Sequence, residues 1–437
     1  MRLARSLAIV CALLLVTTAA SAPLPAQVDA APAAPAESPQ NSDRAQAQHY
    51  VVLLSLDGFR FDYRDAAKNL LALGKHGAWA PEGMLPGFPA FSWPSQFTIV
   101  TGLYPGHNGI VADSFMDPTR QARFTSDYPK AAVDSSWYNG TPFWSLAERQ
   151  GMRTACIRWA GCAAQIAGFR PTYQGREDAD RGNKEPASEV RQIIAWLHLP
   201  APERPHFIAA KFDEPGETAR RFGPDAPETR AAVRRVDLQI SKLRADLDAT
   251  HLPIDLVVVS DRGFAKPDGG WITLDQFADL SGFETTGTLL YAKTEADRER
   301  VYNQLKKATS EFFVYRLKNL PASLNDRNDR MGDPVIVATG PYAVRVHAPA
   351  GAAGPPPRTE APPRIVDGFD PHLVPQMKGI FCAAGPDIVE GRTVAPFESV
   401  NLYPWLAHLL GLTPPKTDGS LNILSGTLRD NGDEIGK

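Results

Sequence analysis

Long apolar runs are nearly absent from this chain of 437 residues, and basic residues are not in excess. The early run Leu7 to Val16 follows Arg2 and Arg5 and precedes the small residues Ala19-Ala20-Ser21-Ala22. It falls short of the roughly 20 residues that a spanning helix needs, which argues against an anchor and for a secretory signal over residues 1–22. Cysteine is scarce, with four in all. Cys11 sits inside the apolar run, which argues against a lipid-anchored cysteine and leaves Cys156, Cys162 and Cys382. Cys156 and Cys162 are close enough to bridge in an oxidising compartment, or to remain two buried thiols, and spacing alone does not choose. The formal net charge is -3, and loss of residues 1–22 removes two arginines and no acid, moving it to -5. Nothing in that balance favours nucleic acid as a partner. The expected location is secreted, periplasmic or extracellular, with no transmembrane anchor once the signal is cut.

Residues 23–48, after the signal, are rich in Ala, Pro, Gln and Ser and poor in large apolar side chains, so they are expected to form a disordered tether. The remainder, 49–437, reads as one large α/β domain. Short apolar runs (Tyr50 to Leu56, Thr154 to Trp159, Phe207 to Phe212, Leu256 to Ser260) alternate with helical segments (Arg64 to His76, Ser188 to Leu197, Glu228 to Ala249, Ser399 to Leu412). Continuous apolar strands separated by helices predict a mostly parallel sheet covered on both faces, with ligands bound beyond the carboxyl ends of the strands.

That rule gives meaning to the acids. Asp57 follows the first strand, Asp213 and Glu214 follow the third, and Asp261 follows the fourth. One aspartate after a strand is commonly a turn or cap residue, whereas three together point to a metal or phosphate site. Ser92 lies in Phe91-Ser92-Trp93-Pro94, where Pro94 suits a first helical turn. A hydroxyl there faces free backbone N–H groups and the positive end of a helix, a natural seat for phosphate.

The order of segments resembles the nucleotide pyrophosphatase/phosphodiesterase family of the alkaline phosphatase superfamily over nearly the whole mature chain. The matching stretches include Leu54-Ser55-Leu56-Asp57-Gly58-Phe59-Arg60, Phe88-Pro89 through Val100-Thr101-Gly102-Leu103-Tyr104-Pro105, Gly109-Ile110-Val111, Phe212-Asp213-Glu214-Pro215, Ser260-Asp261 and Gly368-Phe369-Asp370. The resemblance implies an alkaline-phosphatase-like sheet with an inserted cap over about 263–365. It also implies two zinc ions held by aspartates and histidines, and a threonine or serine nucleophile that attacks phosphorus.

Carried over position by position, Ser92 matches the nucleophile, and Asp57 and Asp261 match two ligand aspartates. Gly216 and Arg220 stand where the family has an aspartate and a histidine, Arg262 stands for a second histidine, and Asp367 for a third. Asp113 replaces a phosphate-contacting asparagine. A guanidinium has no lone pair to offer zinc and does not lose its proton. No histidine of this chain occupies a family ligand position; His372 and His107 are the candidates for a relocated ligand. The residual metal positions are thus Asp57, Asp261 and Asp367, where no zinc is expected and at most one weakly held divalent ion.

Two former ligand positions have become cations beside remaining carboxylates. Arg262 is expected to pair with Asp57 or Asp261, and Arg220 with Asp367, because a planar guanidinium binds carboxylates in a bidentate fashion. Phe91 either shapes a pocket or packs in the core. Two function classes remain: a secreted pseudoenzyme that binds an unknown small-molecule or protein ligand, and a phosphodiesterase that uses Ser92 with one unusual metal or an arginine-assisted site.

Overall fold

The computed structural model describes residues 40–175, 186–268, 270–324, 327–347 and 361–429. The expected signal and most of the expected tether lie outside them. Residues 40–48 do not behave as a tether. Asn41 donates to the carbonyls of Ala201 (3.2 Å) and Arg204 (2.8 Å) and accepts from the Arg153 N–H (2.7 Å), and Ser42 caps a short helix, Asp43–Gln46. One buried amide with three backbone partners is enough to dock a segment whose composition alone would leave it loose.

The central sheet has eight strands: β1 (Tyr50–Leu56), β2 (Ala78–Trp79), β3 (Thr154–Ile157), β4 (Tyr173–Gln174), β5 (Phe207–Phe212), β6 (Ile254–Val259), β7 (Phe381–Ala384) and β8 (Arg392–Thr393). Their order across the sheet is β8-β2-β7-β6-β1-β5-β3-β4. β1 is flanked by β5 and β6, both parallel to it, with Leu56 level with Phe212 and Ser55 level with Val259. β7 runs antiparallel to both β6 and β2, so the sheet is mostly parallel with one reversed strand.

Alternation along β1 assigns the two faces. Val51 and Leu53 join Phe97, Ile99, Phe207, Val257 and Trp405 in one apolar cluster, beneath helices α2 (Ser92–Thr101) and α7 (Leu402–Leu409). Val52, Leu54 and Leu56 join Leu70, Ile193, Val236, Ile240 and Val258 in the other, covered by α1 (Lys68–His76), α3 (Pro186–Leu197) and α5 (Pro227–Asp248). A strand buried on both faces cannot show a polar period, which is why its sequence is a continuous apolar run.

The stretch expected as a cap carries α6 (Glu295–Leu305), a hairpin of Phe283–Thr286 with Leu289–Ala292, and the antiparallel pair Phe312–Tyr315 and Val335–Ala338. It has its own apolar cluster around Leu274, Leu290, Val301 and Leu305. Ala348 to Arg364, whose abundance of Pro, Gly and Ala predicts an exposed irregular loop, lies mostly outside the described residues. Cys156 and Cys162 form a disulfide with their Cα atoms 6.3 Å apart, and Cys382 is a buried free thiol.

Candidate functional site

β1 and β6 end side by side, so Asp57 and Asp261 emerge at the same sheet edge, and both are fully buried. Asp367 reaches them from the segment before β7. Arg262 fills the space between these three carboxylates and is itself only 1 % exposed. Its Nη1 lies 3.0 Å from Asp57 Oδ1 and 2.9 Å from Asp261 Oδ2, while its Nε and Nη2 both lie 2.9 Å from Asp367 Oδ2. The expected pairing with Asp57 or Asp261 is therefore met by both at once, and Asp367 is added.

Arg220 does not follow the expectation that it pairs with Asp367. Its Nη1 donates to Asp57 Oδ2 at 2.6 Å instead. The reason lies four residues earlier in α4 (Gly216–Phe222), where a Cβ on Gly216 would stand 2.3 Å from that same oxygen. With no side chain at 216, the first turn of α4 rests on the Asp57 carboxylate and brings Arg220, one turn later, onto it. Both guanidinium groups lie over the Phe264 ring, Arg220 at 4.9 Å and Arg262 at 4.8 Å from its centroid, an arrangement the ring's negative face favours.

Ser92 sits at the start of α2, as its proline-marked turn predicts, and its Oγ donates to Asp261 Oδ2 at 3.3 Å. The positive end of that helix is already occupied: Asp113 Oδ1 accepts the Trp93 N–H at 2.8 Å. Two residues complete the site that sequence reasoning did not single out. Gln96, one turn after Ser92, donates from Nε2 to Ser92 Oγ (2.9 Å) and to Asp261 Oδ2 (3.2 Å), and its Oε1 accepts from the Ala160 N–H (3.1 Å). The i, i+4 spacing was the available signal. Lys211 is the lone charge in Phe207–Phe212; its Nζ donates to Asp213 Oδ1 at 2.7 Å. A lysine in an otherwise apolar buried strand is itself a signal.

Asp213 and Glu214, expected to share the edge, turn away from the cluster. Asp213 meets Lys211 and Arg158, and Glu214 accepts from the Thr218 hydroxyl at 2.7 Å. The candidate rescue ligands are elsewhere too: His372 is exposed, and His107 Nδ1 faces Asp418 Oδ2 at 2.7 Å.

The charges settle by proximity. Burial pushes the Asp57 carboxyl up, but Lys211, Arg262 and Arg220 together outweigh it and hold it well below the usual carboxylate range. Burial raises Asp261 against the opposing pull of Arg262, and it raises Asp113 to about 6. Beside the cluster, a cavity of about 270 Å³ is lined by Phe88, Phe91, Trp271, Tyr342, Asp367 and Phe369. Phe91 does both of the things expected of it, bordering this cavity and packing against the core. Gly368, at φ +86°, is where the chain must pass the ring: a Cβ there would lie 2.3 Å from Phe91 Cζ.

The family model described as Type I phosphodiesterase / nucleotide pyrophosphatase matches residues 51–350. The chain belongs to the nucleotide pyrophosphatase/phosphodiesterase family. An uncharacterized pyrophosphatase/phosphodiesterase of Schizosaccharomyces pombe is 31% identical over 396 residues, covering 85% of this chain and 79% of that protein. Human ectonucleotide pyrophosphatase/phosphodiesterase family member 7 is 29% identical over 401 residues, covering 86% and 83%. Among solved structures, murine ectonucleotide pyrophosphatase/phosphodiesterase 5, in an inactive form in complex with AMP, aligns with a TM-score of 0.77 at 26% identity, covering 87% of this chain and 100% of that one. The α/β fold of this family member is thus shared with that structure. Among its described residues no helix is long and apolar enough to cross a membrane.

Proposed function

We propose that this chain is a secreted pseudoenzyme of its family, a binding or accessory protein whose site has exchanged metal charge for guanidinium charge. The observation that carries the reading is Arg262, buried among Asp57, Asp261 and Asp367 and bonded to all three. The residues at this edge do not fit a pair of zinc ions: Gly216 offers no donor atom, and Arg220 and Arg262 offer only N–H groups. Oxygen from Asp57 and Asp261 is committed to arginine at hydrogen-bonding distance. The helix N-terminus that would hold a phosphate holds the Asp113 carboxylate instead. What remains open to a ligand is the largely apolar cavity beside Asp367, which suits an aromatic or apolar group better than a phosphate ester. Secretion is supported by the signal-like N-terminus, by the Cys156–Cys162 disulfide and by relatives named as ectonucleotide enzymes.

A second reading, slow phosphoester hydrolysis, draws on one contact: Ser92 Oγ lies 3.3 Å from Asp261, a carboxylate that burial makes more basic. Asp261 would take the hydroxyl proton, and Arg220 and Arg262 would stabilise the phosphoryl oxygens. Turnover of a chromogenic phosphodiester by the purified mature protein, with and without added zinc, separates the two. The pseudoenzyme reading expects no turnover that disappears in Ser92→Ala. Ser92-dependent, chelator-sensitive turnover would overturn it, and Ser92-dependent, chelator-insensitive turnover would establish the arginine-assisted reaction.

A further inference from the structure

At the opposite edge of the same sheet lies a second group of acids, and among the described residues no arginine or lysine pairs with it. His49 immediately precedes β1, Asp255 is the second residue of β6, and Asp387 follows the end of β7. Because β7 runs antiparallel to β6, the end of β7 lies beside the start of β6, with Ala384 level with Leu256. One ligand atom from each of the three residues lies within 4.8 Å of the other two. His49 Nδ1 and Asp387 Oδ2 are 2.7 Å apart.

The geometry points to a binding site for a first-row divalent cation of the zinc class, held by His49 Nδ1 and the carboxylates of Asp255 and Asp387. Three observations carry it. Asp255 is fully buried, and its Oδ2 has no hydrogen-bond partner, a costly state for a carboxylate oxygen. Two neighbouring arginines are bonded elsewhere: Arg244, whose charge reaches Asp255, is engaged with Asp248 and with the Ala384 carbonyl, and Arg429 with the Ile388 carbonyl and Glu390. The backbone is also shaped around the acid: a Cβ on Gly385 would stand 2.2 Å from Asp255 Oδ1, which instead accepts the Asp387 N–H at 3.1 Å.

The donor set selects the ion. One imidazole nitrogen and two carboxylates are a common ligand combination for zinc and its neighbours, whereas calcium and magnesium prefer oxygen alone. Two negative charges and a neutral imidazole are neutralised by one dication. The His49 carbonyl accepts from His206 Nδ1 at 3.0 Å, which anchors the backbone that carries the imidazole.

The test uses the whole mature protein stripped with chelator and titrated with zinc chloride, read by calorimetry and by the thermal midpoint. One zinc per chain is expected, with a raised midpoint. Asp387→Asn and His49→Gln should each weaken binding by more than the roughly 10–100-fold that loss of an outer-shell partner costs, while Asp367→Asn at the other edge leaves it intact. The assignment is overturned if stripped wild type takes up no zinc, if Asp387→Asn and His49→Gln both keep it, or if calcium binds in preference. Zinc lost only in Asp367→Asn would place the ion beside Asp57 and Asp261 and refute this site and the metal-free reading of the other together.

Discussion

The two edges of the central sheet gather carboxylates in similar number and treat them in opposite ways. At the carboxyl edge, Asp57, Asp261 and Asp367 are met by Arg262 and Arg220, with Lys211 nearby, cations that belong to the chain and cannot leave. At the amino edge, Asp255 and Asp387 face each other beside a half-exposed histidine, and Arg244, whose charge reaches Asp255, is bonded elsewhere. Clustered acids need positive charge from somewhere, and the two edges draw it from different sources: a side chain fixes it at folding, whereas an ion supplies it on demand.

The contrast is broken most severely by removing its central cation. Arg262→Met should cost about 3–5 kcal/mol in urea unfolding, because it leaves three carboxylates around an apolar side chain. Neutralising one acid at each edge then separates them. Asp57→Asn should cost about 3 kcal/mol, since it strands buried guanidinium charge, whereas Asp387→Asn in metal-stripped protein should stay within about 1 kcal/mol. Equal losses at the two edges would erase the distinction. Arg220→Ala comes next, at about 1 kcal/mol, because its side chain is 42% exposed and Asp57 keeps Arg262.

The smallest effect is a slope. Asp57, held low, contributes stability that is complete above the unfolded carboxylate value near pH 4 and is lost as pH falls below it. Asp113 has the opposite sign: with its carboxyl raised to about 6, the folded state binds the extra proton, so stability declines as pH rises from about 4 to 6. Asp113→Asn keeps an acceptor for the Trp93 N–H and should flatten that part of a thermal midpoint versus pH curve while raising the midpoint at pH 7. An unchanged curve would show that Asp113 does not set this slope.

Much of this was legible in the chain. The apolar runs gave β1 and β5 to the residue and helix α5 to within one, and the aspartates after β1 and β6 stand at one edge as the strand-end rule requires. β7 was not legible, since four small and apolar residues between loops carry no period of their own, and its reversed direction comes from the sheet. The partner of Arg220 was misread because position along a chain says which groups reach an edge, not how closely a helix approaches it; the absent side chain at Gly216 decides that. The amino-edge cluster is built from three residues with no shared motif. Its single clue was Asp255, an acid inside the buried run Ile254–Val259.

The carboxyl-edge cluster also has a consequence in time. Asp57 and Arg220 stand 163 positions apart, Asp57 and Arg262 205, and Arg262 and Asp367 105. The pairing of β1 with β5 and β6 closes loops just as long, and these bonds need those strands aligned, so they form with or after the sheet. Interactions that form after the transition state govern how fast a protein comes apart more than how fast it comes together. The arginine knot would then act as a latch, setting the lifetime of the folded chain.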